Sequence, residues 1–499
     1  MKIVESYTIS EKGISINYGI SIVDNMQSIL EYRVSLRNFE EATKAVLEYI
    51  KDRLSESFDL SAEINTDETK NKFYATADAM IKENLPGIND ETKDYMIWSM
   101  YDEMNGLGYM EVFLRDEMLE EIIINSPNEP IYVYHRKYGW LKTNIHISSD
   151  QKIRNYADII ARKAGRQITE LKPILDAHLE KGDRSNAILS PVAQKGHSIT
   201  IRRFVRDSWT IADMINNKTC SSEVLALIWL SIQYEMNVFF SGGTASGKTT
   251  FMNVCMVFFP RNQRIITIED TRELNLPKHL LWTPLLSKQA NSEGKGEITM
   301  LNLLINSLRM RPDRIILGEV RKSEDARVSF EAMHTGHSVY ATIHANDMNS
   351  TISRLINPPI DIPQNLLESV DLNIVMYRNR KTGLRRVLEI GEFLIPKDER
   401  ENEKNIYANI LYKWDPASDE ITEHSTSMKL FSTITHHTGL SLKEIYDSVA
   451  KRKDMLEYLA KNNIRDINIV SRIINRFYIE PEKIWEKAKA NQNHEELLK

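Results

Sequence analysis

The stretch Ser241-Gly-Gly-Thr-Ala-Ser-Gly-Lys-Thr-Thr250 follows the apolar run Met236-Asn-Val-Phe-Phe240 and fits the pattern G-x-x-x-x-G-K-[ST]. Glycines in this pattern permit a tight turn, so that successive main-chain N–H groups face a phosphate. The lysine then reaches the β- and γ-phosphates, the next hydroxyl can hold Mg²⁺, and a helix beginning near Gly247 adds the positive end of its dipole. The sequence therefore predicts a nucleoside triphosphate site formed by Gly242, Gly243, Thr244, Ala245, Ser246, Gly247, Lys248, Thr249 and Thr250.

Length and composition narrow the class of protein. The chain has 499 residues, which predicts two or more domains, and its 42% hydrophobic and 27% charged content is that of a globular protein. Its formal net charge of -6 gives no support for a general nucleic-acid coat, so we expect no nucleic-acid partner. Two cysteines, Cys220 and Cys255, are too few for a disulfide framework or a four-cysteine zinc module, which favours a reducing cytoplasm.

No stretch of the sequence reads as a membrane span. The most apolar candidate, residues 224–232, is about half of the roughly 20 residues that a bilayer requires, and it reads as a buried helix. The N-terminal segment lacks the cationic start, apolar core and small-residue cleavage site of a signal peptide. We therefore expect any membrane association to come through a partner or a surface.

The order of periodic segments predicts an α/β protein of several parts. Alternation from Ile14 to Ile22 predicts a small sheet, with a hairpin turn at residues 11–13, and helices follow. Short strands and turns begin at Gly106, and later strand and helix runs alternate as in a sheet with crossover helices. The predicted parts are an N-terminal extension (1–105), a smaller α/β domain (106–204), a hinge linker (205–213), a nucleotide-binding domain (214–398) and a mostly helical C-terminal extension (399–499).

Three segments that follow the loop contain chemically informative residues. Residues 265–274 form an apolar strand that ends in acids and an arginine, among them Glu269 and Arg272. Residues 308–321 contain a short apolar strand that ends at Gly318-Glu319, the layout of a Walker B strand. Residues 335–346 set His337 and His344 on either side of another strand. Ligands bind at the carboxyl ends of strands in α/β sheets, so we expect carboxylates at this edge to border the nucleotide.

With these four segments in this order, the chain resembles the type II/type IV secretion ATPase superfamily, whose members are motors of secretion systems and type IV pilus-like filaments. The segments correspond to the family's Walker A, Asp, Walker B and His boxes. Residues 176–189 and 199–204 are similar to its N-terminal domain, so the resemblance covers roughly residues 106–395. The wording Glu-Asp-Thr-Arg-Glu-Leu and the long N-terminal extension are most similar to archaeal pilus and archaellum assembly ATPases. The resemblance implies a RecA-like P-loop ATPase domain after a smaller α/β domain and a helical N-terminal extension.

Two carboxylates compete for the task of activating water. Glu319 is the leading candidate to orient the attacking water, and Glu269 is the rival base or an organiser of water and metal. Gly318 occupies the place where many P-loop enzymes have a metal-holding aspartate. Mg²⁺ would therefore depend on Thr249, on the phosphates and on ordered water, with help from Glu319 through water.

Arginines and histidines supply further candidates. By the resemblance, Arg202, Arg203 and Arg272 contact the nucleotide, some from a neighbouring subunit, and the alternative for each is a surface ion pair. Three interpretations remain open for His337 and His344: a metal site, structural hydrogen bonding, or the sensing of nucleotide state across an interface, which the resemblance implies. Their spacing matches no short zinc pattern, and an odd separation across a strand sets them on opposite faces.

The resemblance implies a Mg²⁺-dependent ATPase that forms a ring, a hexamer, in the cytoplasm at the inner face of the cell membrane. Closure and reopening of the smaller α/β domain would act on a multi-pass membrane platform protein and so drive filament assembly, rotation or secretion. A RecA-like nucleic-acid translocase and a nucleotide-gated scaffold with little hydrolysis are the alternatives. ATP is favoured over GTP because no Asn-Lys-x-Asp base-reading motif occurs.

Overall fold

A nine-stranded sheet lies in each of the two units into which the computed structural model divides, Met1–Val205 and Arg206–Lys499. The structure describes residues 2–10, 17–25, 29–37, 39–57, 67–179, 182–203, 209–288, 290, 294–396 and 405–498. The hairpin turn expected at residues 11–13 and the first part of the expected linker lie outside these residues. The last part of that linker is helical, because a helix begins at Ile211. Thr210 is its N-terminal cap and forms a capping box with Asp213.

The sheet of the first unit has the order β1-β2-β3-β6-β5-β4-β9-β8-β7. Its strands are β1 (Lys2–Ser10), β2 (Asn17–Asp24), β3 (Glu31–Ser35), β4 (Leu119–Ile124), β5 (Pro130–His135), β6 (Gly139–His146), β7 (Ile174–His178), β8 (Arg184–Ile188) and β9 (Ser198–Arg202). The small N-terminal sheet expected from the sequence is thus part of a larger one, joined where β3 runs parallel to β6. Buried Asp116 stabilises the union, because its carboxylate accepts hydrogen bonds from Tyr7 (2.7 Å) and Tyr32 (2.6 Å).

The helices of the first unit are α1 (Glu41–Ser57), α2 (Asp67–Asn84), α3 (Asp90–Asn105), α4 (Met110–Arg115) and α5 (Asp150–Lys163). α1 has an apolar face, since Leu47, Ile50 and Leu54 are buried in a core with residues of α2 and α3. The break between α2 and α3 lies near the Pro-Gly pair of residues 86–87, after which the Asn89 side chain caps α3.

The sheet of the second unit has the order β12-β11-β13-β14-β10-β15-β16-β17-β18, with the first six strands parallel and the rest antiparallel. Its strands are β10 (Val238–Gly242), β11 (Arg264–Glu269), β12 (Leu281–Leu286), β13 (Arg314–Leu317), β14 (Ser338–Ile343), β15 (Leu372–Arg378), β16 (Arg385–Leu394), β17 (Tyr407–Asp415) and β18 (Glu420–Glu423). Every residue of β10, β13 and β14 is buried, which explains their apolar sequences. β17 and β18 extend this sheet past residue 398, where the sequence predicts the nucleotide-binding domain to end.

Helices flank the parallel strands, and more helices follow the sheet. They are α6 (Ile211–Asn216), α7 (Ser222–Gln233), α8 (Lys248–Cys255), α9 (Met300–Ser307), α10 (Ser323–His334), α11 (Met348–Ile356), α12 (Leu430–Thr438), α13 (Leu442–Lys461), α14 (Ile467–Ile479), α15 (Pro481–Lys489) and α16 (His494–Leu498). The buried helix expected at residues 224–232 is confirmed as α7. Trp229 of α7 stacks on Phe258 and donates a hydrogen bond to Tyr478 of α14. The C-terminal helices therefore share a core with the domain that contains the loop.

None of the helices in the described ranges combines the length and the apolar composition that crossing a bilayer demands.

Candidate nucleotide site

The loop between β10 and α8 has a backbone that its glycines make possible. Gly242, the last residue of β10, has φ +150°, and a Cβ there would lie 2.5 Å from the main-chain oxygen of Met376. Gly247 has φ +94° and precedes α8 as its N-terminal cap, without a side-chain hydrogen bond to the helix. Gly247 therefore leaves the first main-chain N–H groups of α8 without a side-chain cap. Uncapped N–H groups at the start of a helix can bind a phosphate.

Parallel pairing brings the other informative segments to the same edge of the sheet. β10 lies beside β14, β14 beside β13, and β13 beside β11, so the carboxyl ends of these four strands are neighbours. Glu269 ends β11, Glu319 follows β13 by two residues, and His344 follows β14 directly. These residues therefore emerge at the edge of the sheet where the loop lies.

Lys248, His344 and Glu319 form a connected chain beside the loop. The Lys248 Nζ donates a hydrogen bond to the Gly243 oxygen (3.1 Å) and lies 3.3 Å from the Nδ1 of His344. The Nε2 of His344 lies 3.1 Å from Oε1 of Glu319. An ammonium group only donates, so Nδ1 accepts from Lys248, and Nε2 carries the ring proton and donates it to Glu319. The contacts thus define one neutral tautomer of His344.

The charges and burial around Lys248, His344 and Glu319 agree with that protonation state of His344. Burial lowers the pKa of Lys248, an effect that the nearby Glu319 carboxylate opposes. Burial and the Lys248 ammonium lower the pKa of His344, which favours the neutral ring. Glu319 is also held on its other side, because its Oε2 accepts a hydrogen bond from Arg321 (2.7 Å). The carboxylate of Glu319 is therefore fixed between a guanidinium and an imidazole.

Glu269 lies in a different environment from Glu319. It is 1% exposed, and its Oε1 accepts hydrogen bonds from the main-chain N–H groups of Glu273 (2.8 Å) and Leu274 (3.0 Å). Its Oε2 is buried and makes no hydrogen bond within the described part of the chain. Burial raises the pKa of Glu269 to about 7, against the effect of the two N–H groups. Glu269 is thus a carboxyl group that can exchange a proton near neutral pH.

The glycine in place of a metal-holding aspartate lies directly against Glu269. A Cβ on Gly318 would lie 3.5 Å from the Cα and 3.6 Å from the Cγ of Glu269, which is ordinary van der Waals contact. The Glu269 side chain therefore adjoins the space that an aspartate at position 318 would enter. The neighbouring strand β11 thus brings a buried carboxyl group next to Gly318.

The hydroxyl groups of the loop differ in their surroundings. The Ser246 side chain is buried, and its Oγ has no hydrogen-bond partner among the described residues. Thr249 is partly exposed in the first turn of α8, whereas Thr244, Ala245 and Thr250 are exposed. An orphaned buried hydroxyl and a hydroxyl at the start of the helix fit the oxygen-rich triphosphate and a hard cation.

Two further candidates from the sequence lie away from this chain of contacts. The Arg272 guanidinium lies over the ring of Trp282, 5.2 Å from its centroid. His337 precedes the amino end of β14, and its Nδ1 lies 3.1 Å from the Thr335 hydroxyl. The whole length of β14 thus separates His337 from His344 instead of bringing the two histidines together.

Arg202 and Arg203 belong to the first unit. Arg202 is exposed at the end of β9, where its Cα faces Glu121 of β4. The main-chain N–H of Arg203 donates to the Glu120 oxygen (2.9 Å), and its guanidinium donates to the main-chain oxygen of Asp116. Burial lowers the pKa of Arg203. The Arg203 side chain is thus held within its own unit.

Sequence patterns alone do not single out two residues that lie beside the loop. The Nε of Arg385, at the start of β16, donates a hydrogen bond to the Ala245 oxygen (3.3 Å). The Oδ1 of Asn346 would lie 3.0 Å from a Cβ on Gly243. The available signals were that Asn346 ends the His box segment and that Arg385 belongs to a basic run with Arg378, Arg380, Lys381 and Arg386.

Comparisons with known proteins identify relatives of this chain. The family model described as Type II/IV secretion system protein matches residues 103–379. An uncharacterised protein of Methanocaldococcus jannaschii is 32% identical over 461 residues, which cover 90% of this chain and 81% of that protein. The type IV secretion system protein VirB11 of Bartonella henselae is 27% identical, over 53% of this chain and 81% of its own.

Among solved structures, the VirB11 ATPase of Brucella suis in complex with sulphate is 25% identical and has a TM-score of 0.29. That match covers 57% of this chain and 95% of the other. The family match spans more than half of the 499 residues and includes all four segments at the nucleotide site. The chain therefore belongs to the type II/IV secretion system protein family, and it is an ATP-binding ATPase of that family with an α/β P-loop fold.

Proposed function

We propose that ATP hydrolysis by this chain powers a type IV pilus-like filament or a secretion system, through a multi-pass membrane platform protein. The active form in this proposal is a hexamer in the cytoplasm, attached to the membrane by its partner. Family membership supports the secretion or pilus setting. The Asp-box wording and the N-terminal extension, whose strands join the sheet of the first unit, support the archaeal filament branch, the pilus or the archaellum.

The single observation that carries the hydrolytic step is the contact chain from Lys248 through His344 to Glu319. Phosphoryl transfer to water needs positioned phosphates, neutralised charge and an oriented water more than covalent chemistry by the protein. Lys248 would bind the β- and γ-phosphates, and Glu319, held by His344 and Arg321, would accept a hydrogen bond from the attacking water. These contacts thus link the phosphate-binding lysine to the water-orienting carboxylate.

Mg²⁺ fits the residues present at this edge of the sheet. Hard cations take oxygen ligands, and the Thr249 hydroxyl, the Glu319 carboxylate and the Oε2 of Glu269 supply oxygens here. In the proposal Thr249 holds the metal, Glu319 contacts it through water, and Glu269 organises the adjacent water in place of the aspartate that Gly318 replaces. When bound, Mg²⁺ would neutralise charge on the phosphate oxygens.

Arginines act on the triphosphate in this proposal. Arg272 contacts the nucleotide from the Asp box, and Arg202 and Arg203 contact it from the smaller α/β domain, in the same or a neighbouring subunit. A guanidinium can meet the charge that spreads over the γ-phosphate oxygens. His337 senses nucleotide state at an interface between subunits. The linker of residues 205–213, whose last part begins α6, contains the hinge on which the smaller domain closes.

One experiment tests the hydrolytic and oligomeric parts together. ATPase turnover of the wild type and of Glu319→Gln is measured over a range of protein concentrations, with mass determined in parallel. Glu324→Gln, an exposed glutamate in α10, is the matched control. We expect turnover to rise as the hexamer forms, and Glu319→Gln to lower kcat by about 10²- to 10⁴-fold while ADP still binds.

Two results would contradict parts of the proposal. Turnover that is independent of oligomer mass would exclude a site shared between subunits, and unchanged turnover of Glu319→Gln would exclude that residue as the base. Stimulation of turnover by DNA would favour the nucleic-acid translocase, and wild-type binding of ATP without turnover would favour the nucleotide-gated scaffold. Stimulation by vesicles that contain the platform protein, and not by empty vesicles, is the result expected for a filament or secretion motor.

A further inference from the structure

Arg385 lies against the phosphate-binding loop from the side opposite to the catalytic carboxylates. Its Nε donates a hydrogen bond to the Ala245 oxygen (3.3 Å), and a Cβ on Gly247 would lie 3.4 Å from its Cδ. The Arg385 side chain is therefore in direct contact with the last part of the loop, where α8 begins.

The order of strands defines which part of a nucleotide this side of the loop faces. Glu269 ends β11 and Glu319 follows β13. Both strands lie on one side of β10, beyond β14. Arg385 stands on β16, which lies on the other side of β10 beyond β15. The γ-phosphate must lie toward the water-orienting carboxylates, so the α-phosphate and the nucleoside lie toward β15 and β16.

No described carboxylate is paired with the Arg385 guanidinium, whereas Asp419 is paired with that of the neighbouring Arg386. The Arg386 guanidinium forms a two-point ion pair with Asp419, with Nε and Nη2 donating over 2.7 and 2.8 Å. Arg385 forms no ion pair with a described carboxylate, and its Nη1 and Nη2 make no hydrogen bond with a described residue. Its side chain is partly exposed. Two N–H₂ groups of Arg385 are therefore available beside the loop.

We propose that Arg385 binds the α-phosphate of the nucleotide through its terminal N–H groups while its Nε stays bonded to the Ala245 oxygen. The inference rests on the ATPase site of the proposed function and adds a residue that fixes the nucleoside end of the substrate. A guanidinium presents paired donors that match phosphate oxygens. The α-phosphate keeps its charge throughout hydrolysis, so Arg385 contributes equally to the binding of ATP, of ADP and of the transition state.

The test compares Arg385→Ala and Arg385→Lys with Arg380→Ala, an exposed arginine between β15 and β16, in the full chain. Calorimetry gives the Kd for ADP, steady-state kinetics give KM and kcat for ATP, and thermal unfolding is measured without nucleotide. For Arg385→Ala we expect the ADP Kd and the ATP KM to rise about 10- to 100-fold, with kcat changed by less than about threefold. Arg385→Lys should recover part of the affinity, and Arg380→Ala should match the wild type.

Failure of the Arg385 inference and failure of the nucleotide site would give different results. Unchanged ADP affinity in Arg385→Ala would overturn the inference, and so would a loss of kcat at unchanged KM. A fall in the unfolding temperature without nucleotide, with affinity not recovered by lysine, would make Arg385 a structural support of the loop and would also overturn it. Failure of the wild type to bind ADP would instead overturn the nucleotide site itself, which separates the two failures.

Discussion

His344 lies between Lys248 and Glu319, with its Nδ1 3.3 Å from the lysine Nζ and its Nε2 3.1 Å from Oε1 of the glutamate. One imidazole thus accepts from the lysine proposed to bind phosphate and donates to the carboxylate proposed to orient water. Movement of Lys248 toward a phosphate would remove the hydrogen-bond donor from Nδ1 and so change how the ring holds Glu319.

His344→Gln should lower kcat because the Glu319 carboxylate loses its imidazole donor. A hydrogen bond to a charged group is worth about 1.5–3 kcal/mol, so we expect a decrease of about 10- to 100-fold with little change in ADP affinity. His334→Gln is the control, since His334 is exposed at the end of α10 and its Nδ1 lies 3.0 Å from the Phe330 oxygen. Equal kcat values for the two variants would exclude this positioning role.

Glu269→Gln should make the nucleotide-free protein more stable at pH 8 than the wild type. The pKa of Glu269 in the folded protein, about 7, exceeds its ordinary value of 4.5, so the wild type loses stability as pH rises from 4.5 through 7. The difference in unfolding free energy should reach about 3 kcal/mol above pH 7 and vanish below pH 4.5. Urea unfolding at pH 4.5, 6 and 8 measures it, and a constant difference would show that ionisation of Glu269 is not the cause.

Gly318→Ala and Gly318→Asp should distinguish the effect of added side-chain volume from the effect of added charge beside Glu269. A Cβ at position 318 meets only ordinary contacts at 3.5 and 3.6 Å, so we expect the alanine variant to keep its stability within about 1 kcal/mol. The aspartate adds a second carboxylate next to buried Glu269, which should raise the pKa of Glu269 further and lower kcat. Activity and unfolding midpoints of both variants check this, and an aspartate variant as active as wild type would contradict it.

Gly242→Ala should damage the loop far more than Gly243→Ala. The added Cβ at 242 would lie 2.5 Å from a main-chain oxygen at a backbone angle of φ +150°, and neither can relax cheaply. We expect a loss of about 3 kcal/mol or more in unfolding free energy and loss of ADP binding. At 243 the nearest atom, 3.0 Å away, is the side-chain Oδ1 of Asn346, which can move. Similar unfolding midpoints for both variants would refute this difference.

Tyr478→Phe should destabilise the contact between the C-terminal helices and α7. The Tyr478 hydroxyl accepts from Trp229 (2.7 Å) and donates to the Phe258 oxygen (2.5 Å), so its removal leaves two polar groups without partners. We expect a loss of about 2 kcal/mol or more in unfolding free energy by urea titration. Tyr446→Phe is the control, because Tyr446 is 48% exposed. If both variants unfold at the wild-type midpoint, the hydroxyl contributes nothing to this contact.

Local sequence patterns predict much of the fold. The apolar run before Ser241 and the glycines after it predict a strand, a loop and a helix, and the structure contains β10 and α8 there. The strands that end at Glu269 and before Gly318 are predictable because buried parallel strands are short, continuous apolar runs. Membership of the secretion ATPase family, inferred from the order of these segments, is confirmed by the family match.

Patterns within one segment could not predict pairing between distant segments. β3 pairs with β6, and Tyr32 of β3 donates a hydrogen bond to Asp116, which is 84 residues away along the chain. The addition of β17 and β18 to the second sheet likewise depends on antiparallel pairing with β16. Neither pairing can be predicted from the hydrophobic periodicity of the strands involved. Periodicity indicates which face of a strand is buried, but not which strand lies beside it.

The sequence by itself determined the turn between β10 and α8, because glycine readily adopts the positive φ angles found at Gly242 and Gly247. It also determined which carboxylates and histidines follow the strands. Only the tertiary structure decided that His344 meets Lys248 across 96 residues and that His337 does not, since the parallel pairing of β14 with β10 places one end of β14 at the loop. The contact of Arg385 with Ala245 has the same origin, because it spans 140 residues and depends on the order of strands in the sheet.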